Sequence, residues 1–173
     1  MIRLLTEKDA NQYQKIRLQS LKTDPEAFLS TFESESKLPL EYFQHKIRNA
    51  EKDPTFGYYG LFESSRLIAY AQISDGYLAK KKHVAYFYEV YVDPDFRKKG
   101  YATQLINFLI DKVRKYKEIE QIELKVNSRN KSAIALYEKL GFKRIAQLPH
   151  AVKEPDGTYQ DEFIYSFSLK NFH

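Results

Sequence analysis

Apolar and polar positions change period several times along the chain, and each change marks an element. Met1–Leu5 is a short apolar run of strand character. Thr6 and, three positions on, Asp9 have the arrangement of a capping box. Ala10, Tyr13, Ile16 and Leu21 then recur at helical spacing, so a helix is predicted to about Lys22. Asp24-Pro25 ends it, since proline turns the preceding residue away from helical geometry. Phe28–Lys37 is mostly polar and predicts a loop or a loose helical turn. Pro39, suited to a first turn, opens a second helix through about Ala50, and Asp53-Pro54 closes it. Thr55–Glu63 and Leu67–Ser74 read as two strands joined at Ser64-Ser65-Arg66, an antiparallel hairpin. A loop from Asp75-Gly76 carries Lys80-Lys81-Lys82.

His83–Asp93 is the longest strand candidate. Val84, Tyr86, Tyr88, Val90 and Val92 share one parity, and Phe87 and Tyr91 the other, which predicts a central strand covered on both faces. Gly100–Tyr116 is strongly amphipathic, with Tyr101, Leu105, Phe108, Leu109, Val113 and Tyr116 on one side. Gln121–Val126 alternates as a strand. Asn130–Leu140 reads as a helix with Ala133, Leu136, Tyr137 and Leu140 on one face and Gly141 just past its end. Phe142–Leu148 is a strand, Pro155-Asp156-Gly157 a turn, and Phe163, Tyr165, Phe167 and Leu169 alternate in a last strand. The order β-α-α-β-β-β-α-β-α-β-β implies a mixed α/β (α+β) fold with helices on both faces of the sheet. Without repeats or a linker, residues 1–173 are expected to form one domain.

Composition narrows the chemistry. The chain has no cysteine, which excludes a disulfide framework, a cysteine-ligated metal site and a thiol nucleophile; no metal site is expected. No stretch approaches the roughly 18 apolar residues of a membrane span. The charged start MIRLLTEKDA does not read as a leader, so a cytoplasmic protein without a membrane partner is expected. The net charge of +5 admits a nucleic acid, a membrane surface or an anionic cofactor as partner.

The position of the positive charge matters most. After the central strand the chain runs Asp93-Pro94-Asp95-Phe96-Arg97-Lys98-Lys99-Gly100-Tyr101-Ala102-Thr103 into the long helix. A helix N-terminus offers unpaired N–H groups and a positive dipole end. Gly100 and Ala102 carry little or no side chain, so a phosphate can come close to the backbone. Arg97, Lys98 and Lys99 add charge at the same place, and the stretch reads as a pyrophosphate cradle. It matches neither the phosphate-binding G-x-x-x-x-G-K-[ST] pattern nor the dinucleotide-binding G-x-G-x-x-G.

Two motifs in order resemble the GNAT acetyltransferase superfamily. One is the family's R/Q-x-x-G-x-G/A loop after its fourth strand, here Arg97 to Ala102. The other is an Asn leading into A-x-x-L-Y-E-K-x-G-F, here Asn130 and then Ala133 to Phe142. The remaining elements fit as well, so the resemblance covers essentially the whole chain. It implies a sheet of about seven strands with a splay between strands four and five, and acetyl-coenzyme A as cofactor. It further implies that Val90 and Val92 bond the pantetheine, that the backbone from Lys98 to Ala102 with Thr103 holds the pyrophosphate, and that Asn130 bonds the pantetheine arm. Lys98, Lys99 or Lys131 would meet the 3′-phosphate, unless they are ordinary surface lysines.

By the same resemblance Tyr137 is the general acid for the departing thiolate; the alternative is a tyrosine packed on the helix's apolar face. Glu89, a carboxylate inside an apolar strand, is the candidate base, or else the structural partner of a cation. Glu162, His83 and His150 are weaker candidates, and the Val90 N–H is the expected oxyanion donor. Acceptor specificity would come from Pro25–Pro39, with Phe28, Glu26, Glu33 and Glu35, and from His150–Thr158 with nearby Glu162. Acidic residues facing the tunnel would favour a cationic small-molecule amine. The competing expectations are a protein N-terminus or lysine as acceptor, a non-catalytic acyl-CoA-binding module, and a nucleic-acid binder using Lys80–Lys82 and Arg97–Lys99. No nucleic-acid partner is expected, because the aromatics sit at core-like alternation. A homodimer is compatible with the edge strands.

Overall fold

The computed structural model describes residues 1–51, 57–76 and 78–170. The expected helix stop at Asp53-Pro54 and the first residues of the Thr55–Glu63 strand lie outside the described residues. The strands are β1 (Ile2–Leu4), β2 (Gly57–Glu63), β3 (Arg66–Asp75), β4 (Val84–Val92), β5 (Gln121–Asn127), β6 (Lys143–Lys153) and β7 (Tyr159–Ser168). The helices are α1 (Ala10–Thr23), α2 (Phe32–Glu35), α3 (Leu40–Glu51), α4 (Tyr101–Val113) and α5 (Lys131–Lys139).

The seven strands form one sheet in the order β1-β2-β3-β4-β5-β7-β6. Only β4 and β5 run parallel, joined through α4 as a parallel pair requires. The two faces bury separate cores. On one, Ala85 and Phe87 of β4 and Ile122 and Leu124 of β5 pack against Leu105, Ile106, Leu109, Ile110 and Val113, the apolar stripe of α4. On the other, Tyr58, Leu67, Tyr70 and Tyr91 lie under Tyr13 and Ile16 of α1 and Phe43 and Ile47 of α3. The central position expected of β4 follows from this: its residues contribute to both cores.

Local signals decide where elements begin. Asp9 accepts from the Thr6 N–H at 2.8 Å and from Arg3 through two bonds of 2.7 Å, which ties β1 to the entry of α1. The polar Phe28–Lys37 stretch contains α2, a single turn capped by Thr31, whose hydroxyl accepts from the Ser34 N–H at 3.2 Å. β6 continues past the expected end at Leu148, through an irregularity between Leu148 and Val152 where His150 takes φ 52°. The turn at Pro155-Asp156-Gly157 closes the β6–β7 hairpin, with Gly157 at φ 86°.

Among the described residues no helix is long and apolar enough to cross a membrane, and no cluster of His, Asp and Glu could hold a metal ion. Phe87, only 1 % exposed, is the β4 anchor of the α4-side core. Phe87→Ala is expected to lower the free energy of unfolding by about 3–5 kcal/mol, measured by urea titration.

Candidate active site

β4 and β5 pair only from Val84↔Gln121 to Phe87↔Leu124. Beyond that point they part, and β5 goes on pairing with β7 alone through Asn127. A bulge in β4 sits at the parting. Gln72 faces Tyr88 and Tyr70 faces Tyr91, so Ala71 of β3 stands against both Glu89 and Val90. Glu89 absorbs the extra residue at φ 54°, a left-handed conformation that costs a non-glycine residue about 1–2 kcal/mol. A bulge re-aims side chains, and here Glu89 faces a cavity of about 860 Å³ between the parted strands.

Val126 and Asn127 of β5 and Asn130, Ala133 and Tyr137 at α5 line the far wall. Residues 26–31 with Ser34 and Glu35 form a roof. Two ties hold the roof down. Asn127 Nδ2 donates to the Glu26 carbonyl at 3.1 Å, across the cleft. Arg17, 2 % exposed, donates from Nε and Nη2 to the two Glu35 oxygens at 2.9 and 2.7 Å. Burial alone would raise the Glu35 carboxyl, but the Arg17 guanidinium outweighs it and holds Glu35 below the usual carboxylate range. Arg17 stays a firm cation for the reciprocal reason: burial lowers it, and the Glu35 hydrogen bonds more than compensate.

Arg17 also reaches Glu89, with Nη2 3.5 Å from Oε1, and Lys46 Nζ lies 3.8 Å from the same oxygen. Tyr13, Tyr58 and Tyr70 surround this cluster as neutral phenols, raised chiefly by burial, with Glu89 adding to the rise and Arg17 opposing it. Of the acidic residues expected on the tunnel wall, Glu26, Glu35 and Glu162 line the cavity and Glu33 does not. Glu35 spends its charge on Arg17. Glu33 is exposed and is not a lining residue. Phe28, Glu26 and Glu162 do line the cavity. His83 and His150 do not; the His150 ring packs 5.5 Å from the ring of Tyr159.

Tyr137 is 6 % exposed, and burial pushes its phenol well above the usual value. It remains protonated at neutral pH, facing the cavity from α5. Asn130 is the N-cap of that helix: its Oδ1 accepts from the Ala133 N–H and the Ser132 hydroxyl, each at 3.1 Å. The cap leaves Nδ2 as the donor that Asn130 can offer to the cavity.

The turn between β4 and α4 carries Lys98 at φ 62° and Gly100 at φ 80°. A Cβ on Gly100 would meet nothing within 4 Å, so the backbone angle rather than space calls for glycine there. The N–H groups of Lys98, Lys99, Gly100, Tyr101, Ala102 and Thr103 find no acceptor among the described residues. Together with the N-terminus of α4 they form a backbone anion cradle. Arg97 departs from the expectation of a free positive charge. Its Nε donates to the Val92 carbonyl at 3.0 Å and its Nη2 to Asp24 at 2.6 Å, which locks the turn to the end of α1. Lys99 lies 5.1 Å over the Phe96 ring, Tyr101 donates to Glu63, and Lys98 and Lys131 are exposed beside the two helix starts.

Arg17, Lys46 and Asn127 are absent from the candidates that sequence reasoning names. For Arg17 a signal exists: it follows Ile16 and lies four residues after Tyr13, a charged residue within the apolar stripe of α1. Asn127 has none, since its partner Glu26 lies 101 positions away.

Comparison with known proteins agrees with this geometry. A family model described as the acetyltransferase (GNAT) family matches residues 18–142. An uncharacterized N-acetyltransferase of Methanocaldococcus jannaschii is 44 % identical over 63 residues, 36 % of this chain and 27 % of that protein. The ribosomal-protein-bS18-alanine N-acetyltransferase of Escherichia coli is 40 % identical over 58 residues, 34 % of this chain and 38 % of that one. These matches thus span well under half of either relative. A GNAT-family acetyltransferase structure from Streptococcus pneumoniae superposes with a TM-score of 0.87 at 17 % identity, over 98 % of this chain and 99 % of the other. An acetyltransferase from Salmonella typhimurium with its cofactor acetyl-CoA gives 0.84 at 20 % identity, over 100 % and 95 %. At such identities the likeness is one of fold.

Because folding lowers Glu35, its stabilising contribution is complete above the unfolded carboxylate value and is lost as the pH falls through the lowered folded value. Glu35→Gln leaves the buried Arg17 charge with only its looser contact to Glu89 and is expected to cost about 3 kcal/mol at pH 7. Chemical denaturation at a series of pH values should show that deficit shrinking toward acid pH.

Proposed function

We propose that this chain, which belongs to the acetyltransferase (GNAT) family, transfers the acetyl group of acetyl-coenzyme A to a primary amine of a small molecule. One observation carries the reading: β4 and β5 part beyond Phe87 and Leu124, a cavity holding Glu89 and Tyr137 lies at the parting, and the chain leaves β4 into the turn whose backbone N–H groups are unpaired among the described residues. We read residues 1–173 as one catalytic domain on this basis.

The residues present suit the cofactor. The six N–H groups from Lys98 to Thr103 fit a pyrophosphate, with Lys98, Lys99 and Lys131 near enough to the helix starts to meet a further phosphate. Val90 and Asn130 line the cavity at the parted strands, where an extended amide-bearing arm can bond to backbone and side chain; Val92 follows on β4 and has its N–H to offer, since its carbonyl accepts from Arg97. Arg97 is assigned to positioning: it holds the turn through Val92 and Asp24. Bound acetyl-coenzyme A supplies an activated acetyl thioester.

The protein's own groups supply the proton transfers. An alkyl ammonium with a pKa near 10 is neutral to the extent of only about 10⁻³ at pH 7. Glu89 accepts its proton, directly or through water, and leaves the nitrogen lone pair free to attack the thioester carbon. The Val90 N–H, beside the bulge, donates to the carbonyl oxygen as charge builds there. Tyr137 Oη gives its proton to the departing sulfur as the C–S bond breaks, and the second proton that the nitrogen loses on becoming an amide restores the phenol. No acyl-enzyme is required, in keeping with a chain that has no cysteine.

The roof supports a small acceptor. Residues 25–35 are ordered as a 3-10 turn and α2, tied to β5 and to Arg17, and they cover the cavity that a polypeptide would have to enter. A second reading, acetylation of a polypeptide N-terminus, is favoured by the names of the E. coli relative and of an N-alpha-acetyltransferase of Saccharolobus solfataricus, 34 % identical over 82 residues, which is 47 % of each chain. A thiol-release assay with acetyl-CoA decides between them. Turnover with small primary amines and none with N-terminal peptides is expected, and the reverse pattern selects the second reading.

Two variants test the roles. Tyr137→Phe should lower kcat about 10²-fold while coenzyme A affinity by calorimetry stays within about threefold; an equal loss of affinity would make Tyr137 a packing residue. Glu89→Gln should lower kcat/KM about 10²-fold near pH 7, with the deficit shrinking as rising pH deprotonates more of the amine.

A further inference from the structure

The sheet face that carries α1 and α3 is covered only in part, and the uncovered part adjoins the cavity. Residues opposite one another in an antiparallel pair share a face. Tyr70 and its partner Tyr91 lie under the helices, while the next pairs on that face, Gln72 with Tyr88 and Ser74 with Tyr86, lie beyond them. Tyr88 is 41 % exposed. The Tyr86 and Tyr88 rings stack at 6.1 Å with 19° between their planes and form a flat aromatic shelf. The shelf borders a second cavity of about 400 Å³ that includes Leu78 and Ile164, and Ser74, Tyr88 and Lys125 line both cavities. The two cavities adjoin across these three residues, which make up one groove wall.

We infer that this shelf is a second acceptor subsite, which takes a planar apolar arm of the amine whose nitrogen lies at Glu89. The inference rests on the acetyl-transfer reading and narrows its substrate to aryl-alkylamines. Strand geometry sets the spacing: at about 3.3 Å per residue, Tyr86 lies roughly 10 Å along β4 from Glu89. Tyr88, one residue from Glu89, is the near edge of the shelf, so a ring two to four methylenes from the nitrogen reaches between the two tyrosines. The charges around the second cavity argue for a neutral arm. Lys81 and Lys125 oppose Asp75 and Glu123, Asp75 is paired with Lys82 at 2.8 Å, and Glu123 accepts from Gln121 at 3.2 Å. The stacked rings give the groove a preference for another aromatic ring.

The test compares kcat/KM for 3-phenylpropylamine and propylamine. The protein should prefer the aryl amine at least tenfold, in line with one aromatic contact plus its buried area. Tyr86→Ala and the bulkier Tyr86→Leu should each abolish most of that preference and leave propylamine within about twofold, because Tyr86 lines only the second cavity. Tyr86→Phe should retain it. No aryl preference, or equal losses on both amines, overturns the subsite. If neither amine is acetylated, the small-amine reading fails, and calorimetric titration of 3-phenylpropylamine into the same proteins still decides the shelf. Binding weakened at least fivefold by both Tyr86→Ala and Tyr86→Leu, and kept by Tyr86→Phe, supports it; unchanged or absent binding overturns it.

Discussion

One extra residue in β4 governs the rest of the structure. Ala71 faces two residues, so β4 kinks at Glu89 and cannot stay paired with β5 beyond Phe87 and Leu124. The unpaired edge would be a liability in an ordinary sheet, since exposed strand edges invite further pairing. Here it frames a cavity, and the same kink turns a carboxylate into that cavity. The backbone strain at Glu89 is local and modest, and two well-packed cores on either face hold it in place.

Charge around the bulge is balanced within the protein. Arg17 bonds Glu35 closely and Glu89 more loosely, and Lys46 approaches Glu89 from the opposite helix. A buried pair of this kind contributes little net stability compared with apolar packing, but removal of one member is costly. Its consequence is geometric: the roof, the first helix and the bulge share one guanidinium. The Arg97 contacts do the same just beyond the bulge, at the C-terminal end of β4, where Val92, the turn before α4 and Asp24 of the α1 terminus are joined.

The elements with strong amphipathic period are legible in the sequence. β4, α4 and α5 appear where the alternation or the helical stripe predicts them, because each buries one or two defined faces. α2 is hidden, since a four-residue polar helix buries too little to leave a pattern. The extension of β6 and β7 is hidden for a related reason: from Pro149 to Thr158 most side chains are exposed, so hydrophobicity does not mark the pairing. The bulge at Glu89 carries no glycine and leaves no trace. At the site, backbone geometry transfers well from motif to structure: Gly100 takes φ 80° and α4 starts directly after it. Side-chain functions transfer less well: Arg97 and Glu35 look like free charges in the sequence, and partners 73 and 18 positions away claim them.

The central claim, that the cleft between β4 and β5 and the turn at Lys98–Thr103 together hold acetyl-coenzyme A, is tested most directly by amide chemical shifts in a ¹⁵N-labelled sample titrated with coenzyme A. The largest changes should fall on Lys98 to Thr103, with Val90, Val92 and the Asn130 side-chain amide moving in the same titration. Shifts centred on Lys80–Lys82, or an undisturbed turn at Gly100, would contradict it.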